Sequence, residues 1–320
     1  MTHPDRGPGA GVTDVTVAPV AASAEDVATV PGVATVRGTA VRREALHFAV
    51  RNGKLVGGFA VVLVFLVAAL AGPLFETDDP LAYVGPQAAA PSGEYWFGTT
   101  TFGQDVFAQF LHGLRSTFFV GVVAALIAGV LGMVVGFTSG YRGGLVDEIL
   151  NMITNIVLVL PVLAVLMIIA AYLEVRNVQS QAVIIGLFSW PWVARAVRSQ
   201  TLTLRAREFV DLAKLSGAPV RRIIFREIAP NMASYLFMVF ILLFGGAVLF
   251  AATLDFIGLG PTDGTSLGLM LNQAKQWSAM NLGLWWWFIP PGLGITTIVG
   301  ALYIMNVGLD EVFNPKLRET

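Results

Sequence analysis

Three kinds of chemistry leave short signatures in a sequence, and this chain lacks each of them. A nucleotide phosphate is cradled by a glycine-rich loop ending in Gly-Lys-Ser/Thr; no GxxxxGK[ST] occurs in the 320 residues, and Lys214-Leu-Ser-Gly217 lacks the rest of any ATPase signature. Metal binding needs ligands at short, regular spacing, whereas His3, His47 and His112 lie far apart and there is no cysteine. His112 is expected to be a solvated or interfacial residue. No convergent set of polar side chains suggests an active site, so neither an enzyme nor a metal site is expected. What the sequence does offer is docking chemistry. Eight of the twenty Lys and Arg residues fall between Arg195 and Arg226, interleaved with Glu208, Asp211 and Glu227.

That stretch is punctuated like two short helices around a fixed bend. Leu202, Ala206, Phe209 and Ala213 follow an i, i+4, i+7, i+11 stripe, the apolar face of an amphipathic helix. Gly217 suits the position just past a helix end and Pro219 the first turn of the next helix. Val220, Ile223, Ile224 and Ile228 then share one side, with Arg221, Arg222 and Arg226 largely on the other; Pro230 opens the following apolar run. A basic amphipathic loop can simply lie on anionic headgroups. Glu208 and Asp211 favour a protein groove instead, because an anionic surface gives them no partner.

The elements that hold this loop read as membrane spans. Hydrophobic residues make up 55% of the chain and charged residues 13%, with a mean hydropathy of +0.71, and the apolar residues are gathered into long uncharged runs. Six spans are expected, at about 55–73, 116–140, 149–173, 178–194, 231–254 and 282–307, the fourth being short and carrying Pro191. The fold class is thus an all-α polytopic membrane protein with one long loop, 195–230. Lys and Arg set the orientation. Arg37, Arg42, Arg43, Arg51 and Lys54 precede the first span, whereas Pro73 to Gly113 holds none and carries Glu76, Asp78, Asp79, Glu94 and Asp105. Both termini and the 195–230 loop are therefore expected on the cytoplasmic side. Residues 1–44, rich in Ala, Thr, Val, Pro and Gly, read as a disordered cytoplasmic tail, with no cleavable signal peptide. Residues 45–318 form the membrane domain. The near-neutral net charge of −1 argues against a nucleic-acid partner.

Within the spans, Gly132, Gly136 and Gly140 recur every four residues, a spacing that lets helix backbones approach closely in lipid. Gly245-Gly246 in the fifth span reads as packing or as a hinge. Asn151, Thr154 and Asn155 lie near the cytoplasmic end of the third span, ahead of Pro161. They are read as helix-to-helix hydrogen bonders.

These residues fall into a known register. Glu208, Ala213, Gly217-Ala218, Ile223-Ile224 and Ile228-Ala229-Pro230-Asn231 resemble the EAA signature of bacterial ABC-importer permeases, with Asp211-Leu212 where adjacent alanines are usual. Tyr95-Trp96-Phe97-Gly98-Thr99, Gly103-Gln104-Asp105-Val106-Phe107, Ser139 to Gly144, Leu254 to Gly260, Trp285-Trp286, Pro291-Gly292 and Asn314 to Arg318 resemble dipeptide/oligopeptide permeases of the C type over roughly residues 45–318. Thr100, Gln104, Met152 and Asn155 depart from that pattern, as do residues 306–311, so no charge pair is carried over from relatives.

The resemblance implies a type I importer permease in the bacterial inner membrane. It implies pairing as a heterodimer with a homologous permease, two ATPase subunits that hold ATP and Mg, and an extracytoplasmic peptide-binding protein. It implies that the loop is the coupling helix, with Arg207, Glu208, Asp211, Leu212, Ala213, Gly217, Ala218, Pro219, Arg222, Pro230 and Asn231 at the contact. The acidic 74–113 segment and the 255–283 loop, with Trp277 suited to an interface, would face the binding protein. Cargo other than peptides stays open: nickel, glutathione or a cationic antimicrobial peptide. A secondary transporter is disfavoured, because spans free of Asp, Glu, Lys and Arg give no site for ion coupling.

Overall fold

The computed structural model describes residues 51–75, 79–173 and 176–313. The 1–44 tail, Arg37, Arg42, Arg43, His3, His47, Glu76, Asp78 and the Asn314–Arg318 motif lie outside the described residues. The described chain is helical: α1 (Gly53–Phe75), α2 (Val106–Arg142), α3 (Gly144–Val159), α4 (Val162–Tyr172), α5 (Val178–Arg205), α6 (Glu208–Leu215), α7 (Val220–Arg222), a π-helical stretch (Ile223–Ile228), α8 (Ala229–Asn231), α9 (Ala233–Phe256), α10 (Leu267–Gln276) and α11 (Trp285–Phe313).

Four helices are long and apolar enough to cross a membrane: α1, α2, α9 and α11. The third expected span is not one helix. It breaks into α3 and α4, which meet at 77° and count as a fifth span if taken together. Pro161 is the cause: it has no N–H to donate and forces Leu160 out of the helical region, to φ −69, ψ 131. The fourth expected span, 178–194, belongs to α5, which runs eleven residues farther, to Arg205. At 1.5 Å per residue its 28 residues reach about 42 Å, more than the ~30 Å hydrocarbon core. Its C-terminal third carries Arg195, Arg198 and Arg205, and α5, though long enough, is not among the helices apolar enough to cross, so the fourth expected span is not matched by an apolar helix.

The second helix also exceeds its expected span. It starts at Val106, where Asp105 caps it by accepting from Phe107 N at 2.7 Å. His112 therefore sits on α2, half-buried, with its Nε2 enclosed and unpartnered, rather than in a solvated segment. α9 begins at Ala233, three residues after Pro230, which lies instead in the short turn of α8.

The packing centre is the α2–α5 pair, joined at the glycine ladder. A Cβ on Gly132 would lie 2.5 Å from Val193 Cβ, one on Gly136 2.7 Å from Val197 Cβ, and one on Gly140 2.8 Å from Thr201 Cβ. Both sides of the contact thus repeat every four residues, and the two backbones touch along three turns. By contrast, nothing approaches within 4 Å of a Cβ on Gly246, and α9 runs unbroken through the Gly245-Gly246 pair. α1 packs on α11 at Gly58 and Gly308, and Asn52 and Lys54 at its start bond Glu311 near the end of α11.

The acidic 79–105 segment folds onto the helix ends. Thr99, fully buried, donates to Pro86 O and accepts from Ala89 N at 2.8 Å, and its carbonyl accepts from Trp286 Nε1 at 3.1 Å. Thr100 and Gln104, two of the positions that depart from the resemblance, hold a neutral network here. Thr100 Oγ1 accepts from Phe102 N and Gln104 N, and Gln104 bridges Leu81 O and Gln109. The 255–283 loop contains α10, an element the sequence reading did not anticipate, capped by Ser266. Trp277 at its end is half-exposed and stacks edge-on against Phe102 with centroids 4.7 Å apart.

Candidate functional site: a braced hairpin

The charged stretch separates into a brace and a tip. Arg195, Arg198 and Arg205 are on α5 and point back into the molecule. Arg198 grips Asp147 of α3 with both ends of its fork, Nε to Oδ1 and Nη2 to Oδ2, each at 2.6 Å, and Ser139 Oγ adds a third bond to Oδ1. Arg195 Nη2 donates to Asn155 Oδ1 at 2.7 Å. Arg205 Nη1 donates to Tyr141 O at 2.8 Å, closing the end of α2 onto the end of α5. Asn155 therefore does bond a neighbouring helix, as expected, whereas Thr154 caps back onto Leu150 O within α3. The planar guanidinium suits the two-pronged carboxylate contact, which fixes direction as well as distance.

Beyond Arg205 the stripe breaks. Ala206 leaves the helical path and Arg207 N bonds Leu204 O at 3.1 Å, so a new helix, α6, starts at Glu208. The continuous 202–213 helix expected from the i+4 pattern is thus two helices. Glu208 and Asp211 occupy the first turn of α6 and Lys214 its last, complementing the helix dipole at both ends. Lys214 Nζ also pairs with Asp211 Oδ1 at 2.8 Å, an exposed contact of little energetic weight.

The bend is a Schellman motif. Gly217 takes φ +74, its N–H bonds Lys214 O at 3.0 Å, and Ala218 N reaches Ala213 O at 3.1 Å. Pro219 then caps α7 rather than lying inside its first turn. The return arm widens into a π-helical stretch, where Ala229 N bonds Ile224 O five residues back. Pro230 explains this: it cannot donate to the carbonyl four residues earlier. Asn231 Nδ2 covers the neighbouring Glu227 O at 2.6 Å.

Which face is free decides what the hairpin can bind. Phe209, Val210 and Ala213 turn inward; Val210 is fully buried and the other two pack on the core. The Phe209/Ala213 stripe is consequently not available to a partner. Ala218, Ile223 and Ile228 are likewise turned in. The outward face of α6 is Glu208, Asp211, Leu212 and Leu215, with Leu212 67% and Leu215 85% exposed. Arg207, Gly217, Pro219 and Arg222 are exposed beside it, as is the backbone at Pro230 and Asn231. Of the expected contact residues, Arg207, Glu208, Asp211, Leu212, Gly217, Pro219, Arg222, Pro230 and Asn231 are exposed and Ala213 and Ala218 turn inward, while Leu215, outside the expected set, is also exposed. A signal was present: positions 208, 211, 212 and 215 share a helix face as surely as 209 and 213 do.

A second missed residue is Asp255. The uncharged run ends at Leu254, but α9 extends through Phe256 and buries Asp255 to 2% exposure. Gln181 Nε2 donates to Oδ1 at 2.6 Å and Ser266 Oγ to Oδ2, tying the start of α5, the end of α9 and the start of α10 together. The spans are accordingly not free of carboxylates. Among the described residues no group of His, Asp and Glu is arranged to hold a metal ion.

Comparison with known proteins decides the family. Residues 130–319 match the binding-protein-dependent transport system inner membrane component. The chain belongs to this family. It is 32% identical over 279 residues to the dipeptide transport system permease protein of Alkalihalophilus pseudofirmus, and 30% identical over 276 residues to a protein of Brucella suis biovar 1 named as a peptide permease. Each alignment covers 86% of this chain and 90% of the relative. As a member of this family the protein is a multi-pass inner-membrane component of a transport system, and the hairpin belongs to a permease.

Proposed function

We propose that the chain is the permease subunit of an ATP-driven importer of peptides. It would form half of the translocation path beside a homologous permease and receive substrate from an extracytoplasmic binding protein. The names of its relatives support peptide cargo. Two ATPase subunits would carry ATP and Mg, and the 195–230 hairpin, with both termini, would lie on the cytoplasmic side where ATP is.

One observation carries the coupling assignment. A short helix with two carboxylates and two exposed leucines on its free face stands on a base locked to α2 and α3 through Arg205 and Arg198. A push on a helix held this way moves the spans with it instead of being absorbed in a loose loop. Switching between inward- and outward-facing states would then be a rigid-body rearrangement biased by nucleotide binding on the partner. The test is the double substitution E208R with G217L, which alters the docking face and the bend together. Copurification of the ATPase with the permease is expected to fall sharply, or ATP hydrolysis to persist uncoupled from peptide uptake. Uptake that continues with no ATPase bound would overturn the assignment.

A further inference from the structure

The cytoplasmic half of α2 has two unlike faces. Gly132, Gly136 and Gly140 are packed against α5. Residues two positions away point roughly 200° around the helix, and there Val130, Val134, Thr138 and Arg142 form a second ladder at the same spacing. This ladder is one wall of a cavity of about 690 Å³; the return arm of the hairpin, with Arg221 and Phe225, forms the other. Val130 is 52% exposed, Val134 59% and Phe225 70%.

We infer that this groove is a binding site for one anionic phospholipid of the cytoplasmic leaflet, with an acyl chain along Val134 and Val130 and the phosphate between Arg142 and Arg221. Three features fit this occupant. The apolar wall is continuous with the membrane-facing surface of a span. It extends twelve residues from Arg142 to Val130, roughly 18 Å, close to the ~15 Å of one hydrocarbon leaflet. The mouth holds two arginines that make no hydrogen bond or ion pair with any described residue, both exposed at the helix-end level where headgroups lie. Basic pockets between spans on the cytoplasmic side are the sites that hold anionic headgroups. An acidic peptide would find the arginines but not the long apolar wall, and a zwitterionic lipid would find the wall but leave the arginines uncompensated. The bound lipid would splint the return arm against α2. The site rests on the proposed orientation only for the leaflet it faces.

The chain has no cysteine, so V134C supplies a single attachment point for a bimane fluorophore on an exposed position. The assembled transporter is placed in phosphatidylcholine vesicles containing increasing mole fractions of brominated phosphatidylglycerol or of brominated phosphatidylcholine. Quenching by the phosphatidylglycerol is expected at the lower mole fraction, by about fivefold for each arginine. The preference is expected to vanish in R142Q/R221Q and to survive millimolar inorganic phosphate. E208R is expected to leave it intact, so failure of the coupling assignment and failure of the lipid site give different results. Equal quenching by both lipids would reduce the groove to ordinary lipid-facing surface. Absence of quenching by either would mean that protein covers it, and displacement by inorganic phosphate would mean an anion site without an acyl chain. Any of the three overturns the proposal.

Discussion

At the residue scale, side chains that looked alike in the sequence divide by what they touch. Gly136 and Gly246 both lie in apolar helices, yet only the first is pressed against a neighbour. G136L must push Val197 aside and is expected to destabilise the α2–α5 contact by about 1–3 kcal/mol, read as a lower unfolding temperature of the purified complex. G246A fills open space and is expected to leave that temperature unchanged or raise it slightly. The arginines divide the same way. Breaking the Arg198–Asp147 fork with D147N is expected to cost about 2 kcal/mol, since charge-assisted bonds at a partly enclosed site are lost. R222Q, on an exposed side chain, is expected to be silent in the same melt. The glycine spacing was readable because close packing imposes a period. The partner of Arg198 was not readable, because Asp147 is fifty-one positions away and only tertiary contact joins them. Asp255 escaped notice for a simpler reason: it stands one residue beyond an uncharged run, and hydropathy places a span's end less finely than that.

At the element scale, helix ends were set by chemistry that periodicity does not register. The apolar stripe runs on through Ala206 although the helix does not, so α6 is a separate helix and not a continuation of α5. Turn chemistry was more informative: Gly217 was recognised, and it sits at positive φ in the bend. G217A is expected to cost roughly 1–2 kcal/mol of local stability, whereas G217N should be far milder, since Asn tolerates the left-handed region. Hydrogen exchange at Ala218 N, whose bond to Ala213 O closes the bend, distinguishes them; faster exchange in G217A than in G217N is the expected order. Pro161 and Pro230 were both visible, but their consequences depended on context. One produces a 77° bend between two helices, and the other is absorbed by a π-helical turn and by the amide of Asn231.

At the scale of the whole molecule, composition was enough for a helical membrane protein, and the spacing of the motifs was enough for the family. Hydropathy alone could not reveal α10, whose ten residues mix Asn, Gln and Lys with apolar positions, nor the folding of the 79–105 segment onto the helix ends. Both depend on contacts with distant helices. The same holds for the hairpin as a unit: its charge was conspicuous, but the division into a braced base and an uncovered tip is a property of the fold. The central claim is that this tip meets the ATPase on the cytoplasmic side, and Leu215, the most exposed apolar residue on α6, reports on it directly. L215C, again the chain's single cysteine, is treated with a membrane-impermeant maleimide in inside-out vesicles, with and without the ATPase subunits. Rapid labelling without the ATPases and strong protection with them is expected. Equal labelling in both preparations, or labelling only in right-side-out vesicles, would contradict it.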